Sequence, residues 1–108
     1  MGDYYTYILT NKTRSVLYIG MTNGLMKRVL QHRAGHTNGF SRRYHCNRLV
    51  YFEHYSKPSE AIAREKQLKG WRRNKKEDLI ALRNPRWEDM AVSVLGLPPP
   101  VGQPWESR

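Results

Sequence analysis

The sequence predicts a small α/β domain of the α+β kind, with elements in the order β-β-α-β-α-α. Three observations carry that expectation. Two tyrosine-bearing runs near the start, Tyr4 to Leu9 and Val16 to Gly20, are rich in β-branched and aromatic residues, and the polar stretch between them is short enough to close a hairpin. A third run of strand character spans Leu49 to Tyr55. Between and after these runs, three stretches carry apolar residues at helical spacing.

In the hairpin, a turn centred between Lys12 and Thr13 sets Tyr7 opposite Tyr18. A slip of two residues makes them diagonal neighbours but keeps both on one face, because strand side chains alternate. A cross-strand aromatic pair by itself needs no purpose beyond stabilising a hairpin. The first helix opens near Asn23 and ends before Gly35, with Leu25, Met26, Val29 and Leu30 as its packing stripe and with Arg28 and His32 one turn apart beside it. Ala34 to Cys46 reads as a loop carrying Arg42, Arg43 and His45. The near-continuous apolar start of the third strand suggests the centre of the sheet.

Pro58 suits a first helical turn, and a second helix runs from about residue 59 to 69. Ala61, Ile62 and Leu68 mark its buried face, and Glu65 falls among them. A carboxylate there needs a donor, a metal ion or a cation, for which Arg28, Arg64 and Lys69 are available. The basic run Trp71 to Lys76 leads into a third helix with Leu79, Ile80 and Leu82, which Asn84-Pro85 ends. The domain is expected over residues 1–90, followed at 91–108 by a Pro-rich, extended and mobile tail.

The chain has 108 residues, enough for one core, and carries 19 Lys and Arg against 9 Asp and Glu, a net charge of +10. Such a field attracts polyanions. Basic residues interleaved with Tyr and Trp favour nucleic acid over a membrane surface, and Lys27, Arg42, Arg43, Lys69, Arg72, Arg73, Lys75 and Lys76 are the candidate phosphate contacts. With no leader pattern and no long apolar run, a cytoplasmic location is expected. Cys46 is alone, and of His32, His36, His45 and Cys46 only His32 and His36 come near the paired spacing of a structural zinc site, so none is expected.

Tyr18-Ile19-Gly20, with Arg28 ten residues after Tyr18 and His32 four further on, resembles the GIY-YIG nuclease superfamily, and Thr6-Tyr7-Ile8 stands at its first tripeptide. The likeness spans Tyr4 to Leu82 and is greatest to the small single-domain bacterial branch related to the excinuclease nuclease domain. It implies a three-stranded, antiparallel-type sheet flanked by helices. It also implies a divalent-metal-dependent endonuclease acting on DNA, structured or damaged DNA included, in preference to RNA. By resemblance, Tyr7 and Tyr18 are the paired site tyrosines, Arg28 the phosphate-binding cation, His32 a neighbouring site residue, and Glu65 the ligand of Mg2+ or Mn2+. Met21 stands where many relatives carry a lysine, which leaves Arg28, Lys27 or the metal ion to lower a phenol pKa; His32 is the alternative base. Relatives place an asparagine after the metal-binding Glu, a position for which Asn74 and Asn84 both offer themselves.

A non-catalytic nucleic-acid-binding module shares the positive surface but has no need of an inward Glu beside two tyrosines and an arginine. A protein-interaction domain built on the Pro-rich tail leaves that constellation unexplained. No sequence-reading element stands out, so target choice is expected to come from a specificity partner or from a homodimer.

Overall fold

The computed structural model describes residues 2–37 and 39–100. Strands β1 (Tyr4–Thr10) and β2 (Leu17–Thr22) form the hairpin, followed by helix α1 (Leu25–Arg33), a short helix α2 (Gly39–Arg43), strand β3 (Arg48–Tyr55), and helices α3 (Pro58–Lys69), α4 (Arg73–Arg83) and α5 (Met90–Ser93). All strand pairs are antiparallel and the order across the sheet is β2-β1-β3. The expected β-β-α-β-α-α order holds, with α2 and α5 added in segments where no helix was expected. Among the described residues, no helix is long and apolar enough to cross a membrane.

The hairpin register differs from the expected one by two residues: Tyr7 lies opposite Gly20, and Tyr18 opposite Leu9. The cause is local. The Asn11 side-chain oxygen accepts from the backbone N–H groups of Ser15 and Val16 at 2.9 and 3.1 Å, and Arg14 takes a left-handed φ of 61°. These bonds hold residues 11–16 as a loop and move the turn centre toward the C-terminal side. Because the slip is even, Tyr7 and Tyr18 stay on one face.

Strand β1 occupies the centre, not β3 as its apolar start suggested. A bulge opposite Ile8 and Leu9 explains that start. Leu49 joins one core cluster with Tyr7, Leu9, Leu25, Val29 and Ala91, while Val50 and Tyr51 both join the other with Ile8, Ile19, Leu68 and Ile80. Helices α1 and α5 therefore cover one face and α3 and α4 the other, so even an edge strand is apolar on both sides. The free edge of β3 is also satisfied. Asn84 donates to the Val50 carbonyl at 3.0 Å, Arg83 to that of Phe52 at 2.9 Å, and the Leu49 N–H donates to Asp89 at 3.1 Å. A paired edge is protected against pairing with another chain.

The expected domain boundary after residue 90 falls within α5, whose Ala91 is fully buried and whose N-cap, Asp89, accepts from the Ala91 N–H at 3.1 Å. Leu95 and Leu97 pack on the core, and Arg33 donates to the Pro98 carbonyl at 2.6 Å. The segment through Pro98 thus belongs to the folded unit, because the α1 face of the sheet extends past α1 and needs covering. The remainder of the expected tail, 101–108, lies outside the described residues.

Candidate active site

One cleft of about 440 Å³ is lined by Tyr7, Tyr18, Gly20, Met21, Arg28, His32, His36, Thr37 and Glu65. All five residues expected at the site are among them. Since α1 and α3 lie on opposite faces of the sheet, a cleft lined by both opens at its edge, past β2. The sheet supplies Tyr7, Tyr18 and Gly20, α1 supplies Arg28 and His32, and α3 supplies Glu65.

Helix α1 is rotated relative to the expected stripe. Leu25, Val29, His32 and Arg33 are buried, whereas Met26 and Leu30 are exposed. The rotation turns His32 from the flank of the helix into its packed face, and the paired charge of Arg33 goes in with it: Arg33 meets Asp89 at 2.8 Å. His32 then reaches Tyr7, whose Oη lies 3.0 Å from His32 Nε2. On the far side of the ring, His32 Nδ1 lies 2.5 Å from Ser41 Oγ on α2 and 3.3 Å from Thr37 Oγ1.

Burial, followed by the nearby Arg28 charge, lowers the His32 pKa to about 4, so the ring is neutral at pH 7 and carries one N–H. Burial raises the Tyr7 phenol above its ordinary value, and Tyr18 and Glu65 add to this, while Arg28 pulls in the opposite direction. The expectation that Arg28 would lower that pKa is thus corrected: its pull is present but desolvation outweighs it. Tyr7 consequently keeps its proton at rest; in the tautomer of His32 protonated at Nδ1, the phenol donates to Nε2 and Nδ1–H donates to Ser41. Ser41 in turn donates to the Cys46 carbonyl at 3.5 Å. In that tautomer the hydrogen bonds run in one direction, from phenol through imidazole to backbone.

The low His32 pKa has a thermodynamic consequence. A folded-state pKa of about 4 against an ordinary 6.5 means that the unfolded chain binds the proton first on acidification. His32 therefore takes away stability as pH falls from about 6.5 to about 4, by up to about 3 kcal/mol. Urea unfolding at neutral pH and near pH 4.5 checks this. The parent should lose more stability across that interval than His32→Gln does, and equal losses would exclude the buried neutral ring.

The tyrosines are diagonal neighbours, with ring centroids 6.3 Å apart, and Tyr18 packs against His32 at 5.2 Å. Tyr5, the alternative first-strand tyrosine, is placed elsewhere, against Phe52 and His54. Gly20, directly opposite Tyr7, allows the Tyr7 ring to cross β2: a Cβ there would stand 2.4 Å from Tyr7 Oη. The tripeptide contained this glycine, yet its steric role depends on the cross-strand register.

Glu65 pairs with Lys69 at 2.9 Å rather than with Arg28 or Arg64. Arg64 instead grips Glu53 through two bonds at 2.9 and 3.0 Å, and Tyr51 and Tyr55 also donate to Glu53. The two carboxylates therefore differ in availability. Glu53 is saturated with donors, whereas the partner of Glu65 is a half-exposed lysine of small energetic consequence. No cluster of three or more His, Cys, Asp or Glu exists among the described residues. A lone carboxylate beside an open cleft would suit a hard divalent cation, which would take its remaining ligands from water and substrate oxygens.

Neither candidate asparagine lines the cleft. Asn84 is buried, donating to Val50 and Glu88 carbonyls, and Asn74 is exposed on α4, where its side chain accepts from the Lys75 N–H. The basic candidates are dispersed. Lys27, Arg42, Arg43 and Arg72 are exposed; Arg73 braces the hairpin loop by donating to the Arg14 and Ser15 carbonyls, and Lys75 lies 4.3 Å from the Trp71 ring centre. Lys69 holds Glu65, and Lys76 borders a groove beside Phe40. His36, Thr37 and Ser41 were missed as site residues: they follow α1 in what read as a loop, and only the position of His36 one turn after His32 hinted at them.

Comparison with known proteins bears on the family and the fold. The GIY-YIG catalytic domain family model matches residues 3–78. The chain is 39% identical over 90 residues to the UPF0213 protein CPE1444 of Clostridium perfringens, covering 83% of this chain and 96% of that one. It is 38% identical over 80 residues to the UPF0213 protein HQ_3675A of Haloquadratum walsbyi, covering 73% and 89% respectively. The solution NMR structure of the UPF0213 protein BH0048 from Bacillus halodurans shares the fold with a TM-score of 0.53 and 29% identity, over 85% of this chain and 97% of that one. A catalytic-domain match that takes in both tyrosine strands, the Arg28 helix and the Glu65 helix, joined to small relatives matched nearly end to end, makes this chain a member of the GIY-YIG nuclease family.

Proposed function

We propose that the protein is a divalent-metal-dependent endonuclease that hydrolyses phosphodiester bonds in nucleic acid, DNA in preference to RNA. The observation that carries this reading is the convergence on one cleft of a hydrogen-bonded phenol–imidazole pair, a guanidinium and an available carboxylate. A binding module has no use for such a combination.

Phosphodiester hydrolysis needs a deprotonated water, neutralisation of a charged transition state and a stabilised leaving oxygen. Arg28 suits the second task, offering two parallel N–H groups to phosphate oxygens. Tyr7 is poised for the first as one link of a relay. A water at the phenol gives its proton to Tyr7 Oη while the phenol proton passes to His32 Nε2, and the resulting imidazolium is held through Nδ1–H by Ser41. This route avoids a free phenolate, which burial disfavours, but it forms an imidazolium that burial and Arg28 disfavour at rest, so it depends on the negative charge of the bound phosphate to stabilise the protonated ring. Tyr18 packs against His32 and limits its movement. Glu65 would hold the divalent cation, which when bound would supply Lewis acidity toward the phosphate and the leaving oxygen.

The test is cleavage of labelled duplex, branched and single-stranded DNA and RNA with magnesium, manganese or chelator. Cutting that requires a divalent ion is expected; binding without cutting, whatever the metal and substrate, would favour a binding module. Gly20→Ala serves as a steric test of the same cleft. Its methyl group would displace the Tyr7 ring, and a shift of about 1 Å in a catalytic group costs on the order of 100-fold in rate. Circular dichroism should show a folded variant, and unchanged turnover would separate Tyr7 from the chemistry.

A further inference from the structure

Beside the cleft the chain carries aromatic surface that the chemistry does not use. Phe40 and Tyr44, on and just after α2, remain 49% and 40% exposed. They are not isolated. The Phe40 ring stacks on Tyr18 at a centroid distance of 6.5 Å and an interplanar angle of 24°, and Tyr44 meets Phe40 at 4.7 Å. Tyr18 itself lines the cleft, so the three rings form a continuous track leading out of it.

The track has cationic borders. The Arg43 guanidinium lies 5.7 Å from the Tyr44 ring centre, and Phe40 also lines a shallow groove of about 280 Å³ together with Ser15, Val16, Leu17, Arg73 and Lys76. A fitting occupant combines flat apolar faces with a polyanionic backbone. An unpaired nucleic-acid strand has both: its bases present their faces to aromatic side chains while phosphates meet the flanking cations. A duplex keeps those faces stacked inside and offers only edges and backbone.

We propose that Tyr18, Phe40 and Tyr44 form a base-stacking shelf, which takes unpaired nucleotides adjoining the phosphate in the cleft. The preferred substrates are then single strands, or duplexes with an unpaired segment next to the scissile bond. This deepens the nuclease reading and rests on it for the position of that phosphate.

The experiment measures binding in chelator, without cleavage, using short oligonucleotides that contain 2-aminopurine in single-stranded or fully paired form. Parent, Phe40→Ala and Phe40→Trp proteins are compared. The parent should bind the single strand more tightly than the duplex and quench the 2-aminopurine fluorescence. Phe40→Ala should lose about 5- to 150-fold in single-strand affinity, the range for one stacked base, and Phe40→Trp should restore it. Duplex affinity should hold in both variants, and the salt slope for the single strand should not change, since no phosphate contact is removed.

Equal losses for single strand and duplex, or no loss at all, would overturn the shelf even if metal-dependent cleavage were present. A concentration-dependent dimer that Phe40→Ala abolishes, with oligonucleotide affinity unaltered, would assign the rings to a second copy and overturn it as well. Failure of the parent to bind any nucleic acid at low salt would overturn the nuclease reading together with the shelf.

Discussion

Tyr7→Phe will leave the protein folded and lower single-turnover cleavage by about 10²- to 10⁴-fold, the usual worth of a positioned proton-transfer group. The substitution removes one oxygen from a ring that is 1% exposed and preserves its packing. What it takes away is the donor to His32 Nε2 and the acceptor for the proton of the attacking water. The buried Nε2 is left without that donor, so a stability loss of about 1–3 kcal/mol should accompany the rate loss. Denaturant unfolding and rapid-quench cleavage, both in excess metal, separate the two. If cleavage proceeds at the parent rate, the phenol–imidazole pair is a structural contact and the base lies elsewhere.

Glu65→Ala will reduce metal-dependent cleavage by at least about a thousand-fold, the scale on which a bound cation stabilises transition-state charge. Nucleic-acid affinity measured in chelator should hold or rise slightly, because the variant removes one negative charge and frees Lys69 for a phosphate. The fold should tolerate the change: the pair with Lys69 is an i,i+4 contact on α3 between a half-exposed lysine and a partly buried carboxylate, worth little to stability. Activity that responds to magnesium as the parent's does would move the metal away from Glu65. Glu53→Ala is not an equivalent experiment. Glu53 anchors Arg64, Tyr51 and Tyr55, so its loss should appear as reduced stability.

The low His32 pKa and the raised Tyr7 pKa share one cause, burial, and they act in one direction. Each favours the neutral form of its group. A neutral phenol and a neutral imidazole can share a proton without separating charge at rest, so the pair needs no counter-ion in the core. Burial, with the nearby Arg28 charge adding to it, opposes protonation of His32, which keeps one ring nitrogen available as an acceptor at neutral pH.

Much of this protein could be read in the chain itself. Strand and helix types follow from period-two and helical patterns, although Met26, Leu30, Ile62 and Leu82, which those patterns set on packed faces, are exposed, and the spacing of Arg28 and His32 after Tyr18 places both on one helix. The side-chain alternation of strands was enough to put Tyr7 and Tyr18 on one face, and an even slip could not undo it. The half-buried setting of Glu65 was legible in part: it lies on the face of Ala61 and Leu68, but Ile62, expected on the same face, is exposed.

Other features depended on contacts between distant segments. Asn11 chose the register that brought Gly20 under Tyr7, and the capping of the β3 edge by Arg83, Asn84 and Asp89 made an edge strand look central. The rotation of α1 that buries His32 and Arg33 is tied to Ser41 on α2 and to Asp89 beyond α4, and no pattern within α1 announces either partner. Leu95 and Leu97 looked like tail because few apolar residues surround them in sequence, and they pack only because the sheet face offers uncovered apolar surface. Periodicity determines which way a side chain leaves its own element. Which atom it meets is decided by long-range packing, and for His32 that difference turned a residue at the flank of a helix into the centre of the hydrogen-bond chain.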